Sequence, residues 1–188
     1  MSRVPHFIVR AVLAAAVAGG VATLSGCAGM SHTTAGASAA TRLSAEDHVF
    51  AMQAAGGGQY EVLAGQLAIQ RAANADVRGF GQMLVDHHTA ANAELASLLQ
   101  ARGLVPPSSL PSQYAAKLAR LNAAPAAAFD AQFVRTAGLE DHQVQIGLFE
   151  QASREVRDPA LKAWFVRTLP TLRSHLQAAQ VLAGSLAG

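Results

Sequence analysis

From Ser44 onward, apolar residues recur at spacings of three and four with very little strand-type alternation, the signature of helices that each bury one face. Ser44 with Asp47 three residues later approximates a capping box and opens a first helix predicted to run to about Asn74. Gly56-Gly57-Gly58 falls in its early turns and reads there as a flexible start. After the polar turn Asn74-Ala75-Asp76, a second helix is expected from about Asp76 to Arg102, stopped by Gly103 with Pro106-Pro107 beyond it. A longer connection follows, within which Tyr114, Leu118 and Leu121 keep helical spacing, so Ser112 to Asn122 is predicted as a short extra helix. A third long helix opens near Pro125 and carries Phe129, Phe133, Leu139, Ile146 and Phe149. Asp158-Pro159, an N-cap residue with proline at the first helical position, starts a fourth, in which Pro170 predicts a kink.

The seams of these helices are apolar with one exception each. In the second helix the seam reads Val77, Gly81, Leu84, His88, Ala91, Leu95 and Leu98, and in the fourth Leu161, Phe165, Thr168, Leu172, His175, Ala179, Leu182 and Leu186. His142 takes the same place among Leu139, Ile146 and Phe149. Four long helices joined end to end, with the long connection staying at one end, make an antiparallel four-helix bundle, and residue counting then gives each position a height. His88 lies 13 residues after Ala75 and Glu61 14 before it; His88 lies 14 before Arg102 and His142 15 after Ala127. Around Arg157, His142 lies 15 before and His175 18 after. The largest of these offsets is about 4.5 Å of helical rise. One polar layer at mid-bundle, made of Glu61, His88, His142 and His175, is therefore expected.

Charge and cysteine content change the picture at the N-terminus. The chain has 188 residues, with 14 Lys and Arg against 12 Asp and Glu, but Arg3 and Arg10 carry the whole excess. Residues 27–188 are balanced, so no basic stripe argues for nucleic acid. Arg3 and Arg10 precede a run of Ala, Val, Leu and Gly ending at Leu24, too short to span a bilayer and read instead as a secretory signal over residues 1–26. Leu24-Ser25-Gly26-Cys27 resembles a lipobox, which predicts diacylglycerol on the thiol of Cys27, the single cysteine of the chain. Ala28, by resemblance to the sorting rule of Gram-negative lipoproteins, favours the periplasmic face of the outer membrane. Residues 28–43 are small and polar and read as a tether, His32 among them as a solvated residue. The expected organisation is a signal peptide at 1–26, a lipidated cysteine and tether at 27–43, and one helical domain at 44–188, with the membrane as partner through the lipid.

Several stretches together resemble a known family. They are Gly57-Gly58-Gln59-Tyr60-Glu61-Val62, Phe80 to Asn92 with its Asp86-His87-His88, Phe129-Asp130, Asp141-His142-Gln143, Leu148-Phe149-Glu150 and Thr168 to His175. Over about residues 46–183 they are similar to the bacterial domain of unknown function 4142. The resemblance implies a ferritin-like helical bundle, usually exported, and contributes little chemistry. His87 departs from it, standing where a second Asp is usual.

Imidazoles converging from facing helices suit zinc, copper or iron, and Glu61 with three histidines would complete a tetrahedral shell. The alternative is a metal-free polar core in which these groups bond one another in a structural or partner-binding protein. A di-iron carboxylate centre fits badly, because Val85, Leu139 and Leu172 stand three residues before the histidines where glutamates belong. No catalytic motif is recognised: the glycine triplet follows no strand and lacks a phosphate-reaching lysine, and there is no nucleophile elbow or thiol pair. Asp86 and Glu150 read as solvated charges or as neighbours of the ligands, His48 and His87 as surface residues, and Trp164 as core.

Overall fold

The computed structural model describes residues 42–188. The stretch expected to be a secretory signal, Cys27 and most of the expected tether lie outside the described residues. Within these, every regular element is helical: α1 Ala45–Arg71, α2 Ala75–Gln100, α3 Ser112–Asn122, α4 Ala126–Phe133, α5 His142–Glu155 and α6 Pro159–Ala187. None is long and apolar enough to cross a membrane. α1 packs along α2 and α5 along α6, while α2 also meets α6 and α1 meets α5, an arrangement compatible with a helical bundle.

Capping chemistry sets the helix ends. The Ser44 hydroxyl accepts from the Asp47 amide at 3.0 Å. α1 stops at Arg71, three residues short of the expected end, because Asn74 is used to start α2, its side chain accepting from the amides of Asp76 and Val77. α2 ends at Gln100, and Gly103 takes the left-handed φ of 71° that the reversal requires. Asp158 caps α6 through the Leu161 amide at 2.8 Å, with Pro159 in the first turn, and α6 runs on through Pro170. Arg71 reaches across to the carbonyls of Leu121, Asn122 and Ala124, tying the end of α3 to α1.

The third long helix differs from the expected single α-helix. Between α4 and α5 the chain continues helically but winds as a π-helix over Val134–Asp141. Such turns are wider than α turns and shift the faces of the residues that follow. The glycine triplet also has a different role from the expected one. Gly56, Gly57 and Gly58 are buried in regular helix, where a Cβ on Gly57 would stand 2.1 Å from Gln145 Nε2 and one on Gly58 2.1 Å from Asn92 Oδ1. The glycines are there for the side chains that occupy their missing Cβ positions.

The apolar core comes in two halves. Tyr60, Ala64, Ala68, Val77, Phe80, Leu84, Phe129, Phe133, Ala179 and Leu182 fill one. Ala51, Ala54, Leu95, Leu99, Phe149, Leu161, Trp164, Phe165 and Leu172 fill the other. On α2 the division falls between Leu84 and Leu95, and on α6 between Leu172 and Ala179. His88 and His175 sit in those gaps.

Candidate metal centre

His88 from α2, His142 at the start of α5 and His175 from α6 are all buried, and each offers one ring nitrogen such that the three lie within 4.8 Å of one another. Ring centroids are 5.7 Å apart for His88 and His142, 5.2 Å for His88 and His175, and 5.2 Å for His142 and His175. The tightest contact joins His142 Nε2 to His175 Nδ1 at 3.1 Å. Two nitrogens bound to one tetrahedral ion at about 2.0–2.1 Å would stand about 3.3 Å apart, so this pair already has a metal-binding separation. His88 Nε2 has no hydrogen-bond partner among the described residues.

The π segment contributes directly to the site. The carbonyl of Ala137, within it, accepts a hydrogen bond of 2.8 Å from Nδ1 of His142. A carbonyl oxygen has no proton to give, so Nδ1 of His142 carries the hydrogen and Nε2 presents its lone pair to the other two rings. Residue types alone do not reveal this anchor, since a π-helix has no signature comparable to a cap.

Burial keeps these rings neutral. It drives the pKa of His142 down to about 4 against the opposing bond to Ala137. His175 is lowered to about 3 by burial and then by His142 and His87. His88 is held well below the usual imidazole value by burial first and then by the other three histidines. A neutral imidazole has a free lone pair at neutral pH, which is the form that ligates a metal.

Glu61, the fourth residue of the expected layer, is as deeply buried but lies outside the three-nitrogen cluster. Its Oε1 is 3.9 Å from Nδ1 of His142, the ring nitrogen that faces Ala137. Neither carboxylate oxygen has a hydrogen-bond partner among the described residues. Burial, and then the charge of Asp141, raise its pKa well above the usual carboxyl value. Around it stands a second polar group that residue counting does not find. Lys117 of α3 bonds Asp141, Gln145 donates to the Tyr114 hydroxyl at 2.9 Å, and the Tyr60 and Tyr114 rings stack at 5.5 Å. Asp141, beside His142, is raised by burial, opposed by Lys117.

His87 is the other departure. It is exposed, as a surface residue should be, yet its Nδ1 lies 2.8 Å from Nε2 of His175. Together with Glu94, Arg167 and Thr171 it lines a surface cleft of about 270 Å³. His48 is not one of the cluster's residues. Asp86 bonds Gln82 on its own helix, and Glu150 pairs with Arg173 on the surface.

The fold and the buried layer define a class, that of small all-helical proteins with a histidine cluster between two apolar core halves. The family model "Domain of unknown function (DUF4142)" matches residues 32–182, and the chain belongs to that family. Among solved structures, the crystal structure of a DUF305 fragment from Deinococcus radiodurans superposes with a TM-score of 0.67 at 14% identity, covering 77% of this chain and 99% of the fragment. At that identity the likeness is one of fold. No curated protein matches the chain.

Proposed function

We propose that this protein is a lipid-anchored envelope protein whose domain, an antiparallel four-helix bundle of the ferritin-like type, binds a transition metal at His88, His142 and His175. The observation that carries the reading is the convergence of three buried, neutral imidazoles on one point, with His88 Nε2 left unpartnered among the described residues. An all-imidazole donor set suits zinc, copper or iron better than magnesium or calcium. Three protein ligands leave a coordination position open, which fits a site that stores, buffers or uses its metal rather than one closed for structure alone. Glu61 enters this reading from the far edge of His142, where its carboxyl acts on the ring rather than as one of the three converging donors. Attachment to the outer membrane rests on Leu24-Ser25-Gly26-Cys27 and Ala28.

The test is metal content of the untagged full chain by mass spectrometry, beside a His88→Ala, His142→Ala double variant. Near-stoichiometric zinc, copper or iron in the first and little in the second is the expected result. No metal in either after reconstitution, with helicity intact, overturns the site and leaves a partner-binding protein with a polar core. Cys27→Ser tests the anchor separately: the variant should leave the membrane fraction.

A further inference from the structure

His87 and His175 are joined end to end. Their rings are within 16° of one plane with centroids 5.1 Å apart, and Nδ1 of one meets Nε2 of the other at 2.8 Å. A centroid separation of this size with so short an N–N distance means a hydrogen bond along the ring axes, not face-to-face stacking. His142 meets the other end of His175 in the same head-to-tail way, Nε2 to Nδ1. A single imidazole chain therefore runs from the Ala137 carbonyl in the π-helix, through His142 and His175, to His87 in the lining of the cleft.

The carbonyl fixes the direction of every bond in that chain. His142 must hold its proton on Nδ1, so its Nε2 accepts and His175 must donate from Nδ1. Nε2 of neutral His175 then accepts, and His87 must donate from Nδ1. A metal ion seated among the three buried rings needs the lone pair of His175 on Nδ1, the nitrogen that faces His142. Its proton is then on Nε2, and the bond to His87 has to run the other way.

We propose that His87 is the positioning residue of the metal site, holding His175 in line from the cleft side, and that loading of the metal reverses the tautomer of both His175 and His87. The inference rests on the metal reading above and adds a residue outside the triad, a defined proton arrangement and the face at which the site communicates with solvent. It needs no net change of charge on either ring: His87 Nδ1 gives its proton to His175 Nε2, His87 Nε2 takes one from the water of the cleft, and the proton on His175 Nδ1 passes to solvent as the ion takes its place. Metal-bound histidines commonly have the second nitrogen bonded to a fixed partner. Ala137 serves His142 in this way, and His87 serves His175.

Long-range ¹H–¹⁵N spectra of the labelled full chain, with and without zinc, read the tautomers directly. Without metal, His142, His175 and His87 should all carry the proton on Nδ1; with zinc, His142 stays so while His175 and His87 carry it on Nε2. His87→Ala should weaken zinc binding by about 10- to 100-fold with helicity unchanged, while His87→Asn, whose amide oxygen stands near the place of Nδ1, recovers most of the loss. Zinc that binds wild type and His87→Ala equally, or that leaves the His87 tautomer unmoved, overturns the inference and spares the metal site. Failure of zinc, copper and iron alike to bind wild type overturns the metal reading and this inference with it.

Discussion

Asp47, in the first turn of α1, holds the turn between α5 and α6: its two carboxylate oxygens accept from the amides of Arg157 and Asp158 at 3.0 and 2.9 Å. Those residues are more than a hundred positions apart in sequence, and the carboxylate is buried. Asp130 does the same for the amides of Ala73 and Asn74 at the α1–α2 turn. Each of these two short turns is thus held by an acidic residue from another helix.

Asp47→Ala should therefore cost about 3 kcal/mol, the loss of two charge-assisted bonds with two amides left unpaired. Asp47→Asn, which keeps one acceptor oxygen, should cost about half as much. Urea unfolding followed by circular dichroism measures both, and equal stability of Asp47→Ala and wild type would show that water replaces the carboxylate.

Gly57 and Gly147 provide a contrast of sign. Both lie inside helices, where alanine is favoured over glycine by about 1 kcal/mol when space allows. A Cβ on Gly147 meets nothing within 4 Å, whereas one on Gly57 meets Gln145, whose amide is held by the Tyr114 hydroxyl. Gly147→Ala should stabilise by about 0.5–1 kcal/mol, and Gly57→Ala should destabilise by about 1–3 kcal/mol. Adding Gln145→Ala to Gly57→Ala should recover part of that loss if the clash is the cause.

The helices, their order and the short α3 were legible in the sequence because caps, prolines and periodicity are local signals. Counting residues from the turns placed His88, His142 and His175 at one level, and their rings meet. It could not place Glu61 relative to the ring nitrogens, since a height says nothing about which edge of His142 a carboxyl faces. The π segment left no trace in residue types. The glycine triplet looked like flexibility because the cause, Gln145 and Asn92 in its missing Cβ positions, is tertiary. His87 looked like a surface residue because it is one; that its inner nitrogen reaches His175 depends on the rotation of two helices against each other.

The pH dependence of the metal-free protein combines two opposed contributions. The three buried histidines have folded pKa values below the unfolded value, so the stability they contribute is present above about pH 6.5 and is lost as pH falls, toward about 4 for His142 and about 3 for His175. Glu61 is shifted upward, so its contribution is present at low pH and is lost as pH rises above about 4.5. Between these values one carboxyl offsets only part of what three histidines lose, so wild type should still lose stability as pH falls from 6.5 to 4.5, but less steeply than the histidines alone would give. Glu61→Gln removes the contribution of the buried carboxyl, so its stability should exceed that of wild type at pH 8 and fall more steeply from pH 6.5 to 4. Parallel profiles for the two proteins would mean that the Glu61 carboxyl does not change its ionisation on unfolding.

Metal binding should itself be distinguishable from adventitious capture by surface histidines. A ligand that binds the folded state alone stabilises it by about 2.7 kcal/mol at a free concentration one hundred times its Kd. For a domain of this size that is a rise in Tm of about 5–10 °C, reversed by a chelator. Surface imidazoles release metal as they protonate around pH 6.5. The buried triad stays neutral well below that, with His142 titrating near 4 and His175 near 3, so the stabilisation by zinc at pH 5.5 should remain close to that at pH 7.5. Differential scanning calorimetry at both values, with His88→Ala as the control that shows no shift at either, makes the comparison. A metal effect that vanishes at pH 5.5, or that survives His88→Ala, would place the bound ion somewhere other than between these three rings.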